Sequence, residues 1–237
     1  MGNITTENIK EDYNRIYETS GIRTNSAYYR WLIGLIKPKA GSRLLDVSCG
    51  EGIFLKEFIK RVKNTQVCGL DISDKALSRS KANVNSDLLV NADGQYIPFA
   101  DEKFDCVSCL GSLEHYLDPE KGMRELARVG KKDAIFCIVL PNSVSIDFLI
   151  HVVKHGSKPV DDFQIIERTA TRKEWEAMLE KNGFKVVKTY GSNLWPELFQ
   201  EGTFKIKSIG KYLQRKLVKI FCPVNLAREF VFICKKK

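Results

Sequence analysis

The sequence contains no apolar run approaching the roughly 18 residues that a membrane-spanning helix needs. Its first residues, MGNITTENIKEDY, hold no apolar core of a secretory leader, so a cytoplasmic location is expected. Gly2 and Thr6 match the short N-myristoylation pattern, which carries meaning only in a eukaryotic host. A disulfide framework is missing too. The seven cysteines are odd in number, and Cys68, Cys106, Cys137, Cys222 and Cys234 sit inside apolar runs, as reduced buried thiols do. Cys106 and Cys109 form a CxxC, but no second ligand pair follows, and structural zinc wants four nitrogen or sulfur ligands. No metal site is therefore expected. Internal repeats and low-complexity stretches are also absent.

Acidic residues nearly vanish near the end of the chain. From Gly202 onward there are ten Lys or Arg and one acid, Glu229, which accounts for the whole formal excess of +9. Residues 1–201 are electrically balanced, so the body lacks the basic face of a nucleic-acid binder and only the tail is electropositive. The 237 residues, 43% apolar and 28% charged, suit one globular domain of ordinary size with decorations.

Hydrophobic spacing supplies the architecture. Helical patterns cover 7–18 and 25–36, and "KPKAG" breaks the chain before a strand at 43–47. A helix at 52–63, a strand in "QVCGLDIS", a helix at 74–83, a short strand in "DLLVNAD" and a strand in "FDCVSCLGS" follow in turn. "PEKGMRELARV" reads as a helix and "AIFCIVLPN" as a fifth strand. Strands alternating with helices predict an α/β domain with a parallel sheet covered on both faces. Beyond Pro141 the rhythm changes: 143–170 is an irregular insertion, Thr171 and Glu174 make a capping box, and Gly183 stops that helix. "FKVVKTY" and "REFVFIC" are the last strands, separated by about 36 residues, far more than a hairpin needs.

"LLDVSCGEGIFL" (44–55) runs from a strand into a small-residue loop. A dinucleotide fingerprint would require glycine at 48 and 53, where Ser48 and Ile53 stand. Gly50 and Gly52 still permit close backbone approach and positive φ. Asp46, directly before the loop, repels a pyrophosphate but suits an ammonium; S-adenosylmethionine carries that ammonium and no phosphate. Asp71, at the next strand end, is placed to accept from two ribose hydroxyls, with Ile72 beside it to pack on adenine. Asp93 is placed to accept from the adenine amino group.

"LLDVSCGEG", "GLDIS", "NADGQYIPFADEKFDCVSCLGSLEHYLDPEKGMRELARV" and "IVLPN" resemble, in order, the motifs of class I S-adenosylmethionine-dependent methyltransferases, above all the type-11 branch that includes quinone-biosynthesis enzymes. The resemblance covers about 40–190 and departs at Ser48, usually glycine in the family. It implies a three-layer Rossmann-like fold: a seven-stranded, mostly parallel sheet with the last strand antiparallel. It further implies an N-terminal helical lid (1–40) and a methyltransferase domain (41–237) whose insertions, 143–170 and 191–226, cover an acceptor site. The cofactor-binding residues it points to are Asp46, Ser48, Cys49, Gly50, Gly52, Asp71, Ile72, Asp93, Gly94 and the backbone around Cys109 and Leu110. Tyr13 and Tyr17 would close over the methionine end.

Methyl transfer needs alignment more than proton transfer, but a hydroxyl acceptor benefits from a base. His115 in "SLEHYLD" is the candidate. His151 and His155 share a helix face at i, i+4, yet lack a third ligand, and the reading places them along the acceptor pocket. Lys207, Lys211, Arg215 and Lys219 form a basic stripe opposite Ile206, Ile209, Leu213, Leu217 and Ile220, predicting an amphipathic helix over 203–221 that either packs on the domain or meets an anionic membrane. The acceptor is expected to be a small molecule, a saccharide or a lipid-linked compound, with oxygen the methylated atom. The alternatives are a non-catalytic cofactor-binding protein, an RNA or protein methyltransferase, and a nucleotide-dependent oxidoreductase.

Overall fold

The computed structural model describes residues 4–19, 26–84, 88–157, 165–192, 199–200, 203–204 and 223–237. Nearly all of the predicted amphipathic helix over 203–221 lies outside them. Seven strands form one sheet: β1 (Arg43–Val47), β2 (Gln66–Asp71), β3 (Leu89–Asn91), β4 (Phe104–Leu110), β5 (Gly130–Pro141), β6 (Phe184–Ser192) and β7 (Glu229–Lys236). Their spatial order is β3-β2-β1-β4-β5-β7-β6, parallel from β3 through β5. β7, the last strand in sequence, lies between β5 and β6 and runs antiparallel to both. The seven-stranded, mostly parallel α/β fold is as predicted. A two-residue antiparallel ladder pairs Phe199–Gln200 with Thr203–Phe204.

Because side chains alternate across a strand, each strand feeds two cores. Leu45, Val47, Val107 and Cys109 face one, built with Met123 and Leu126 of α5 (Pro119–Val129) and Trp175 and Leu179 of α7 (Arg172–Lys181). Leu44, Cys106 and Leu110 face the other, built with Tyr28, Leu32 and Ile36 of α2 (Ser26–Ile36) and Phe54 and Phe58 of α3 (Ile53–Arg61). Cys106 and Cys109, three apart on one strand, thus point into opposite cores and cannot grip a common ion. Among the described residues no group of three or more His, Cys, Asp or Glu is placed to hold a metal.

Helix ends follow their side chains. Ser73 caps α4 (Asp74–Asn83) by accepting from Ala76 N–H, and Asp118 caps α5 by accepting from Lys121 N–H with Pro119 next in line. Glu174 accepts from the Thr171 backbone N–H at 2.7 Å, closing the predicted capping box. β5 begins at Gly130, four residues ahead of the predicted strand, because a register shift between Phe104 and Cys106 absorbs the extra residues before pairing resumes at Ile135.

Inside the 143–170 insertion, α6 (Ile146–His155) has a Ser145 cap and a left-handed Gly156 stop, yet none of its residues is buried. Val153 is 85% exposed and Ile150 46%. The end of the insertion is fastened firmly. Arg168 donates to the carbonyls of Glu114, Tyr116 and Leu117, and the Ile166 carbonyl meets His115 Nδ1 at 2.5 Å. Among the described residues no helix is long and apolar enough to cross a membrane.

Candidate active site

In an open parallel sheet the carboxyl ends of the strands splay where strand order reverses, leaving a crevice. Here that crevice is a cavity of about 1040 Å³, counting its mouth, walled by the loops after β1, β2, β3 and β4 and roofed by α1 (Thr6–Thr19).

The β1 loop turns on three consecutive alternate positions in left-handed backbone: Ser48 at φ 57°, Gly50 at 54° and Gly52 at 71°. Glycine accepts this conformation freely, whereas a side-chain-bearing residue there costs about 1 to 3 kcal/mol. Ser48 has a compensating contact, its hydroxyl lying 2.8 Å from that of Tyr116. Asp71 holds the loop from below. One carboxylate oxygen accepts from Gly50 N–H and the other from Ser73 N–H, each at 2.8 Å, joining the ends of β1 and β2. Burial raises the Asp71 pKa to about 6, against the lowering effect of those N–H donors.

Asp46 is buried and accepts from Ser108 Oγ at 2.7 Å. Asp93 accepts from Gln95 N–H at 2.8 Å and from its side-chain amide. Both carboxylates, with Asp71 and Ile72, line the cavity. Three acids on one wall disfavour a pyrophosphate by Coulomb repulsion and suit a ligand bearing an ammonium and hydroxyls. The residues present therefore fit S-adenosylmethionine better than a dinucleotide.

α1 is tied over the opening. Ser73 Oγ donates to Asn14 Oδ1 at 2.7 Å, and Lys10 and Lys75 pair with Asp74 and Glu18 at 3.0 and 2.9 Å. Tyr17 is buried against the β1 loop, so close that a Cβ on Gly50 would stand 2.6 Å from its hydroxyl. Burial, then the nearby Asp71 charge, pushes the Tyr17 phenol pKa up. Tyr13 approaches His115 edge-on, ring centroids 6.4 Å apart.

Among the residues predicted from sequence, Asp46, Ser48, Cys49, Gly50, Asp71, Ile72, Asp93, Gly94, Leu110, Tyr13, Tyr17 and His115 all line this cavity. Gly52 does not; it sits behind the wall, where a Cβ would lie 2.3 Å from Ser80 Oγ, so it serves the packing of α3 on α4. Cys109 does not either, being fully buried with its thiol toward the Tyr116 hydroxyl at 3.9 Å. The residues that follow it, Leu110, Gly111 and Ser112, form that wall instead. His151 and His155, with ring centroids 4.5 Å apart on α6, are not among the cavity residues.

Sequence reasoning missed Tyr29, Gln95 and Tyr116. Gln95 had a readable signal, two residues after a strand-end acid. Tyr116 had a weaker one, adjacency to His115.

A methyltransferase-domain family model matches residues 45–138. An uncharacterised protein of Methanocaldococcus jannaschii is 30% identical over 184 residues, covering 75% of this chain and 72% of its own length. The 27-O-demethylrifamycin SV methyltransferase of Amycolatopsis mediterranei is 35% identical over 106 residues, covering 41% of this chain and 38% of its own length. The crystal structure of the YcgJ protein from Bacillus subtilis superposes with a TM-score of 0.56 at 19% identity, covering 89% of this chain and 96% of that one. With an acid-walled crevice in place of a phosphate cradle, these similarities identify the chain as a member of the class I S-adenosylmethionine-dependent methyltransferases, type-11 branch, with S-adenosylmethionine as its cofactor.

Proposed function

We propose that this protein methylates a hydroxyl oxygen of a small-molecule, saccharide or lipid-linked acceptor, with His115 as general base and residues 1–40 as a lid over the cofactor. When bound, S-adenosylmethionine supplies an electrophilic methyl group on a sulfur that departs as a neutral thioether. Asp46 would hold its ammonium, Asp71 its ribose hydroxyls and Asp93 its adenine amino group, with Tyr17 closing above.

The observation that carries the reading is the orientation of His115 at the cavity wall. Its Nδ1 faces the Ile166 carbonyl, which can only accept, so Nδ1 carries a proton and Nε2 is the nitrogen at which a proton would be exchanged. Glu114 Oε1 stands 3.5 Å from Nε2, and its negative charge favours the imidazolium that forms. His115 would hold the acceptor hydroxyl at Nε2 and take its proton as the oxygen is methylated. The name of the Amycolatopsis relative, an enzyme that completes an O-methyl group, agrees with oxygen as the site.

An acceptor screen on extracts of the native organism with labelled methyl donor tests the proposal. Once an acceptor is in hand, His115→Gln should lower turnover by about 10²- to 10⁴-fold while leaving cofactor affinity unchanged. Undiminished turnover would remove His115 from the chemistry.

Within this class an apolar or lipid-linked acceptor is favoured by α6, which presents Leu149, Ile150 and Val153 to solvent. The basic stripe of 203–221 would add attraction to anionic lipid, about 1 kcal/mol per Lys or Arg near such a surface. If so, changing Lys211 and Arg215 together to Glu should abolish salt-sensitive co-sedimentation with phosphatidylserine vesicles; equal binding by both proteins would rule the contact out.

A further inference from the structure

We propose that Ser48 and Tyr116 form a strut that sets the spacing between the cofactor loop and the turn carrying His115, making both of them positioning residues for cofactor binding. Three loops meet at the Tyr116 ring. Its hydroxyl lies 2.8 Å from Ser48 Oγ, reaching the β1 loop. A Cβ on Gly94 would stand only 2.0 Å from that hydroxyl, so the backbone of the β3 loop rests directly on it. A Cβ on Gly122 would likewise be 2.6 Å from Tyr116 Cδ2 and 2.8 Å from Cε2, so two glycine backbones pack closely on the ring.

The strut connects parts that touch the ligand. Gly94 follows Asp93, Ser48 precedes Gly50, and Tyr116 follows His115; Asp93, Gly50, His115 and both hydroxyl-bearing residues line the cavity. The far end is anchored as well, since Arg168 donates to the Tyr116 carbonyl. A shift of the ring therefore displaces the adenine wall, the β1 loop and the candidate base together.

Ser48 occupies its left-handed backbone at a cost that glycine would not carry. A residue kept in such a conformation implies that its side chain contributes something glycine lacks, and here that is the hydroxyl facing Tyr116. Position and partner are linked: with glycine at 48, the buried phenol would lose this contact and keep only the weak one to the Cys109 thiol.

The test is a double-mutant cycle of Ser48→Gly, Tyr116→Phe and the combination, with S-adenosylmethionine and S-adenosylhomocysteine affinities measured by calorimetry and thermal midpoints of the ligand-free proteins measured beside them. Each single change should weaken binding about 3- to 10-fold, the scale of one hydrogen bond, and the double change should be no weaker than the worse single. Ser48→Gly should hold its thermal midpoint close to that of the wild type, because relief of the backbone offsets the lost contact, whereas Ser48→Ala should melt lower. A merely structural role would lower the midpoint and the affinity together in Ser48→Gly. Losses that multiply in the double variant, or singles with unchanged affinity, would overturn the strut. A wild-type protein that bound neither ligand would instead overturn the cofactor assignment, and coupling in the midpoints would still decide the strut.

Discussion

Asp71→Ala is expected to weaken S-adenosylmethionine binding by about 1 to 3 kcal/mol, or 5- to 150-fold, the cost of losing charge-assisted hydrogen bonds in a buried site. The loss has two sources. On the proposed assignment of Asp71 to the ribose, the hydroxyls lose their acceptor, and Gly50 N–H and Ser73 N–H lose the acceptor that fixes them. Titration calorimetry at neutral pH measures it; unchanged affinity would show that the ribose lies elsewhere. The same residue carries a pH signature of two opposite signs. With its pKa raised by burial to about 6 in the ligand-free protein, Asp71 protonates as pH falls below that value, and cofactor affinity should fall with it. Folding stability moves the other way. The folded value lies above the unfolded one, so the Asp71 contribution is fully present below about pH 4 and is lost as pH rises through about 6. The difference between the melting profiles of wild type and Asp71→Ala across pH 4 to 7, an interval of about 3 units, isolates that contribution from the other carboxylates.

Gly94→Ala is the second large effect. The new methyl would occupy a point 2.0 Å from the Tyr116 hydroxyl and 2.6 Å from its Cζ. Overpacking of this kind costs about 1 to 3 kcal/mol, and the expected melting temperature is lower by about 2 to 12 °C. Combining the change with Tyr116→Phe should recover part of the loss, since the hydroxyl is the nearest obstacle. No recovery would mean that the strain falls on the backbone of the Asp93–Gly94 turn instead.

The alternating half of the fold was legible because its signals are local. The β1 bounds at 43–47, the α4 bounds at 74–83 and the α5 bounds at 119–129 follow from apolar spacing and from caps such as Ser73 and Asp118, which act within one turn. The acids at the strand ends were legible for the same reason: a strand fixes where its next residue stands. The start of β5 was not, since "GKKD" pairs with β4 only through a bulge that depends on the partner strand. Gly52 and Gly50 look alike in sequence, but only the tertiary packing of Ser80 and Val84 tells the helix-packing glycine from the cavity glycine. Tyr116 escaped notice because its importance lies in what its ring packs against, Gly94 and Gly122, and not in its neighbours along the chain. The sequence marks 143–170 only as an irregular insertion with a helical stretch; that the apolar side chains of α6 meet solvent is a property of the assembled fold.

The placement of β7 governs the order in which the molecule can be assembled. Residues 229–236 fill the slot between β5 and β6, so β6 has no sheet partner until that segment arrives. During synthesis the β3-β2-β1-β4-β5 half can collapse early through parallel pairings of modest separation, while the open flank of β5 waits. An unpaired strand edge is a template for other chains. For this protein the vulnerable interval is therefore the time between the emergence of β5 and that of β7, and it lengthens with every residue inserted between them.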